Sequence, residues 1–410
     1  MKSYPILSRT FRALQCAVGA SDLGDGAFYV LAPLIGLIID RSPTAIALVS
    51  LSVRLPGPLI AIPLSHLLDL TNRRLLFSFG SALVRVICVA TLCALMATHS
   101  INIFLLCLLS FITVAASNAN DLAVQAAVPE YVEKDLLPRA NSWIYTMQVL
   151  LVQLVGPAVT GVLIGQLGYT AALILVLFLF ITAVAIFAQI AFSAKRGESR
   201  LASTRVSGIF FGFKYIFNDS AMLQLAASAA LNNLCYSMSF TFLSAWIVSP
   251  GPVGGTVQQY GWTVSAAALG SLIGGFLGGR ENSALSDYQV TRYAFLFTAL
   301  SFSLVLIGNI YFIALGLMIY GTAVTIWSVR VVSMRQSVVP QDIFGRVNGA
   351  FRWFSLSSPP IGALLAGIIA NHFGIRTVFI AAIIPCYIAG MISWIRPPVL
   401  RRMRSNLPQK

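Results

Sequence analysis

Acidic side chains are scarce in this chain, with 13 Asp and Glu against 27 Lys and Arg in 410 residues. Only 10% of the residues are charged while 58% are hydrophobic, and the mean hydropathy is +0.84, which excludes an ordinary soluble globular domain. The six cysteines (Cys16, Cys88, Cys93, Cys107, Cys235, Cys386) all fall inside apolar runs, and no C-x-x-C spacing occurs. With only three histidines, His66, His99 and His372, none close to another, neither disulfides nor a metal site are expected. A nucleotide-binding Walker loop, an H-E-x-x-H pair and a G-x-S-x-G elbow are also missing, so no enzyme chemistry and no cofactor are expected.

What is present is apolar length. Twelve runs of about 20 residues, the length that spans a hydrocarbon core, lie near 13–39, 44–68, 75–98, 101–128, 141–166, 170–193, 220–249, 256–279, 291–308, 310–338, 348–371 and 375–396. The expected fold class is therefore all-α and integral to the membrane, with twelve transmembrane helices. The first run follows Lys2, Arg9 and Arg12, yet it is too long for a signal peptide and is read as an uncleaved helix. Arg73, Arg74, Lys134, Arg139, Lys195, Arg196, Arg280, Arg346 and the tail arginines fall on one side, against only Arg41 and Arg376 on the other. Positive charge stays inside, so both termini are placed in the cytoplasm. The net charge of +14 then reflects topology and anionic lipid headgroups, with no nucleic-acid partner required.

The longest polar break, Ser193 to Asp219, divides the chain into an N-terminal six-helix bundle (1–193), a cytoplasmic linker with a possible surface helix (194–219), a C-terminal six-helix bundle (220–396) and a basic cytoplasmic tail (397–410). An internal repeat supports the division. "QAAVPEYVEKDLLPRANS" precedes "GPAVTGVLIGQLG" in the first half, and "QSVVPQDIFGRVNG" precedes "IGALLAGIIANHFG" in the second; Gly156, Gly161 and Gly168 recur 206 positions later as Gly362, Gly367 and Gly374. Duplicated halves suit a transporter that alternates its access to a site near the bilayer midplane.

The loop "SHLLDLTNRR", Ser65 to Arg74, is similar to the loop signature G-x-x-x-D-x-x-G-R-R of the major facilitator superfamily: Asp69, Arg73 and Arg74 match, and Ser65 and Asn72 replace the glycines. Together with "VRLPGPLIAIPLSHLLD", Arg85, "VPEYVEKDLLPRANS" and "GPAVTGVL", the chain resembles the bacterial drug:proton antiporter branch that contains macrolide-efflux and siderophore-export proteins. That resemblance implies two pseudo-symmetric bundles in the bacterial inner membrane, working as a monomer. It implies a proton-coupled exporter of a small amphipathic compound, with protons and membrane lipids as its further partners. An uncoupled facilitator or lipid flippase of the same fold is the alternative, and a transporter-like receptor or assembly protein a more distant one. The resemblance also implies that Asp121 helps lock an inner gate with Asp69, Arg73 and Arg74.

The charges inside the spans are few, and each needs a partner, a wet cavity or a task, since an isolated charge at the bilayer centre costs about 2.5–3.5 kcal/mol even on lenient scales. Asp22 and Asp25, in "SDLGDGAF", are three apart and share a helix face. Arg54 and Arg85 fall at similar depth and are the candidate partners. Either an arginine permanently neutralises an aspartate and ties helices together, or one aspartate takes up and releases a proton; two carboxylates on one face discourage joint ionisation, so one is the easier to protonate. Asp25, flanked by Gly24 and Gly26 and nearer mid-membrane, is the first choice. In the second half no acid lies well inside a span, and Arg330 is taken as its one well-buried charge, binding an anionic group or helix-end carbonyls. A substrate cavity there would be lined by Asn232, Asn233, Tyr236, Tyr320, Thr325, Trp327 and Arg330, aromatic surfaces with scattered amides that suit an amphipathic ligand.

Overall fold

The computed structural model describes residues 9–69, 74–193, 207–278 and 287–394. Arg73, the tail 397–410 and linker residues 194–206 lie outside the described residues, as does the side chain of Asp69. No strand occurs among the described residues. The chain forms α1 (Arg9–Ile39), α2 (Pro43–Arg54), α3 (Pro56–Asp69), α4 (Arg74–Ala97), α5 (Ile103–Tyr131), α6 (Leu137–Gln148), a π-helical segment (Val149–Val155) and α7 (Gly156–Ser193). Then follow α8 (Ser207–Asn218), α9 (Ser220–Ile247), α10 (Val257–Gly278), α11 (Asp287–Val305), α12 (Ile310–Val338), α13 (Gln341–Phe373) and α14 (Ile375–Trp394).

Helix is the only open-ended structure that satisfies every backbone group in hydrocarbon, which is why a chain this apolar folds this way. Among the described residues nine runs are long and apolar enough to cross a membrane. One of them, Arg139–Phe192, is two spans joined at Gly168, whose φ of 84° and ψ of 176° break the helix. With α9 and the shorter apolar α11 the count reaches the twelve spans that the sequence indicates. Polar caps set several starts: Asn102 accepts from Leu105 N at 2.9 Å, Asp219 from Ala221 N at 2.9 Å, and Asn309 from Tyr311 N at 3.0 Å.

Two compact units emerge. One contains residues through Arg41, Ser52–Thr204 and Thr256–Ser265; the other contains Ser42–Leu51, Arg205–Gly255 and the rest from Ala266. The first has a core of Phe11, Leu14, Val124, Val128 and Phe187. The second centres on Ile216, Met222, Phe295, Trp327 and Phe351, and α8 lies against α13 through Phe213, whose ring meets Trp353 and Phe354 edge-on at 5.4 and 5.5 Å.

The repeated glycines do matching work in the two units. Gly168 and Gly374 both adopt a left-handed turn, φ 84° and 83°, in a region that side chains other than hydrogen rarely reach. Gly156 lets α7 touch α1: a Cβ there would lie 2.8 Å from the Gly26 backbone. Gly362 lets α13 touch α9, where a Cβ would lie 2.8 Å from the Leu234 carbonyl oxygen.

Candidate functional site

A polar cluster is buried inside the first unit, built by α1, α4 and α5. Arg85 of α4 is fully buried, Asp25 of α1 is 6% exposed and Asp22 is 2% exposed. Arg85 Nη1 donates to Asp25 Oδ2 at 3.0 Å and Oδ1 at 3.1 Å, and to Ser21 Oγ at 2.8 Å. Ser117 Oγ of α5 donates to Asp25 Oδ2 at 2.7 Å, and Asn120 Nδ2 donates to Ser21 Oγ at 3.3 Å. Asp25 thus has a cation and a hydroxyl, the partners a buried carboxylate needs.

Neighbouring packing holds this geometry. The Phe180 ring of α7 lies 4.7 Å from the Arg85 guanidinium carbon, close enough for the aromatic face to attract the cation. Gly24 makes room for that ring, since a Cβ there would come within 2.5 Å of it. Gly26 makes room for the π-helical segment, whose Val152 carbonyl oxygen would lie 2.6 Å from a Cβ. The two glycines that flank Asp25 are therefore packing requirements on opposite sides of the acid. The π turn leaves the Leu154 carbonyl to accept from Ser265 Oγ of α10 at 2.8 Å, within the same unit.

The bonding inside the cluster is incomplete. Arg85 Nε and Nη2 have no hydrogen-bond partner, and neither does Asp22 Oδ2. Asp121, on α5, accepts from Gln148 Nε2 at 3.2 Å.

The expected residues separate into groups. Arg85 is bonded to Asp25, whereas Arg54 ends α2 half-buried. Arg74 donates to the Ala126 carbonyl at 2.7 Å and pairs with Glu130 at 3.0 Å. Ser21, Ser117, Asn120 and Phe180 complete the acid cluster and were not foreseen; the run "SNAND" in an apolar span was the available signal for two of them.

In the second unit Tyr236 and Tyr320 stack with centroids 5.6 Å apart, Phe302 lies 5.2 Å from Tyr320, and Asn232 sits within hydrogen-bonding reach of Tyr320. Asn233 is turned away, donating to the Ser355 carbonyl of α13 at 3.0 Å. Thr325 packs on α10, its Cβ 3.0 Å from where a side chain at Gly274 would begin, and Trp327 is buried in the apolar cluster beside Phe295. Arg330 is half-buried; the well-buried charge of this unit is Arg335, 7% exposed, which donates to Asn348 at 2.8 Å and lies 3.9 Å from the Phe351 ring centroid. Arg335 corrects the expectation for Arg330: its neighbours on α13 shield it, a contact that depth along α12 alone does not reveal. A separate apolar cavity of about 340 Å³ between α11 and α12, lined by Tyr293, Phe297 and Met318, includes none of the expected residues.

Comparison with known proteins agrees with this architecture. The multidrug efflux pump Tap of Mycolicibacterium fortuitum is 23% identical over 418 residues, covering 97% of this chain and 96% of that protein. A bacterial homologue of the iron transporter ferroportin, crystallised in an inward-facing state, superposes with a TM-score of 0.74 at 14% identity over 94% of this chain and 98% of the other. A bacterial homologue of the human lysosomal transporter Spinster gives a TM-score of 0.73 at 14% identity, covering 96% and 97%. Both structural matches share the all-helical fold described above. The family of transmembrane secretion effectors matches residues 2–406, so nearly the whole chain is accounted for, and the protein belongs to that family of major facilitator transporters.

Proposed function

We propose that this transporter is a proton-coupled exporter of a small amphipathic compound, such as a drug, a peptide antibiotic or a siderophore, working as a monomer by alternating access in a bacterial inner membrane with both termini cytoplasmic. The observation that carries the reading is the buried acid pair on α1, with Arg85 and Ser117 engaged on Asp25 and Asp22 beside it. A buried carboxylate in a span is costly and marks an ion or proton path more often than a scaffold. The efflux-pump relative supports export, and the Tyr236–Tyr320 stack with Asn232 supports an amphipathic ligand. Asp69, Arg73, Arg74 and Asp121 are assigned to gating in this reading.

The test is an everted-vesicle assay with an imposed pH gradient and a pH-sensitive dye, challenged with ethidium, tetracycline and erythromycin. Coupled export predicts that at least one compound dissipates the gradient in vesicles holding the protein and not in empty ones. Radiolabelled compound moving while the gradient stays intact would make the protein an uncoupled facilitator. Asp69→Asn should slow turnover and leave binding affinity intact; an equal loss of affinity would remove Asp69 from the gate.

A further inference from the structure

We infer that the two acids of α1 have different tasks: Asp22 binds and releases the proton, and Asp25 with Arg85 forms the standing charge pair beside it. This rests on the coupled-export reading and divides its proton site. Asp25 receives three hydrogen bonds, two from Arg85 and one from Ser117. Asp22, one helical turn away and likewise buried, leaves Oδ2 without any partner among the described residues. A carboxylate cannot stay ionised in such a place without a cation, whereas a carboxylic acid can. Asp25 and Arg85 together are neutral, so adding a protonated Asp22 leaves the whole cluster uncharged.

The same cluster holds what an ionised Asp22 would need. Arg85 keeps two unused donors, Nε and Nη2. When the Asp22 O–H bond breaks and its proton passes to water, the carboxylate gains a cation whose fork can serve two acids at once. Reprotonation from water on the other side frees Arg85 again. The charged groups bearing on Asp22 are Asp121 from α5, Asp25 on its own helix and Arg85 from α4. Tyr29 lies two turns further along α1, the π-helical segment has no ionisable residue, and Arg139 and Tyr145 of α6 are exposed. Asp121 accepts a hydrogen bond from Gln148.

The experiment is infrared difference spectroscopy of the full chain in liposomes during a change from acid to alkaline buffer, reading the C=O band of protonated carboxyl groups. The wild type should show a band that disappears in alkali. Asp22→Asn should abolish it and remain as stable as the wild type, because asparagine copies the neutral acid. The double variant Asp25→Asn with Arg85→Gln keeps the acid and removes the cation that receives it when ionised, so its band should be present in acid and persist into more alkaline buffer than in the wild type. Asp22→Glu, which retains the acid, should shift the band and reads the same site if the amide variant fails to fold. Absence of the band even in acid in the double variant, with an alkali-sensitive band surviving in Asp22→Asn, would assign the proton to Asp25 and overturn the division. Absence of any such band in the wild type would overturn it too. Failure of the export reading shows separately: ethidium export in cells would then resist a protonophore, whatever the spectra give.

Discussion

The helices α1 of the first unit and α9 of the second offer the plainest contrast in the molecule. α1 carries two buried acids with a buried arginine across from them, and α9 carries Asn232 and Asn233 with tyrosine as neighbour. Both helices accept a repeated glycine, Gly156 on α1 and Gly362 on α9, so the backbone plan is common and the chemistry is not. Duplication kept the packing points, which tolerate little change, and let the polar groups between them diverge. One unit has buried charged groups between those points; the other has neutral hydrogen-bonding and aromatic surface.

The largest effect that would break this contrast is loss of one member of the charge pair. Arg85→Met strands a buried carboxylate and should cost about 3–5 kcal/mol, read as a lower unfolding temperature in detergent. Arg335→Met in the second unit should cost less, because its partner Asn348 is neutral and leaves no charge behind. Equal losses at the two sites would mean that charge is not what distinguishes the units.

Next in size are the shared turns. Gly168→Ala and Gly374→Ala force a side chain into a backbone region that is nearly exclusive to glycine and should each cost about 1–3 kcal/mol, by the same measurement. Matching values sharpen the pseudo-symmetry, and a large loss at one with none at the other breaks it. Asn233→Ala, which removes a donor to the Ser355 carbonyl, should cost about 1 kcal/mol. Arg74→Gln should change stability by less than about 1 kcal/mol, since its pair with Glu130 is solvent-exposed, and any larger effect would have to appear in transport rate.

Most of the architecture was legible in the chain. Apolar runs of membrane length, one polar break and glycines at a constant offset fix twelve helices and two repeats, because hydrocarbon thickness and close helix packing admit few other solutions. The spacing of Asp22 and Asp25 placed them on one face. The choice of Arg85 over Arg54 was not legible, since both lie at suitable depth and helix packing decides which one reaches the acid. The π turn in "VLLVQLV" carries no local signal, and that its Val152 carbonyl packs where only a glycine such as Gly26 leaves room is visible in the folded chain alone. Arg335 escaped notice because depth along a helix says nothing about which face is covered by α13.

If proton coupling resides in the first unit and ligand contact in the second, as proposed, single substitutions should separate the two. The most direct test compares Asp22→Asn with Asn232→Ala in everted vesicles, following a labelled compound that dissipates the gradient in the wild type together with the gradient itself. Asp22→Asn is expected to uncouple movement of the compound from the gradient, and Asn232→Ala to weaken apparent affinity while each transported molecule still draws its proton. Uncoupling in Asn232→Ala with coupling intact in Asp22→Asn would contradict that assignment.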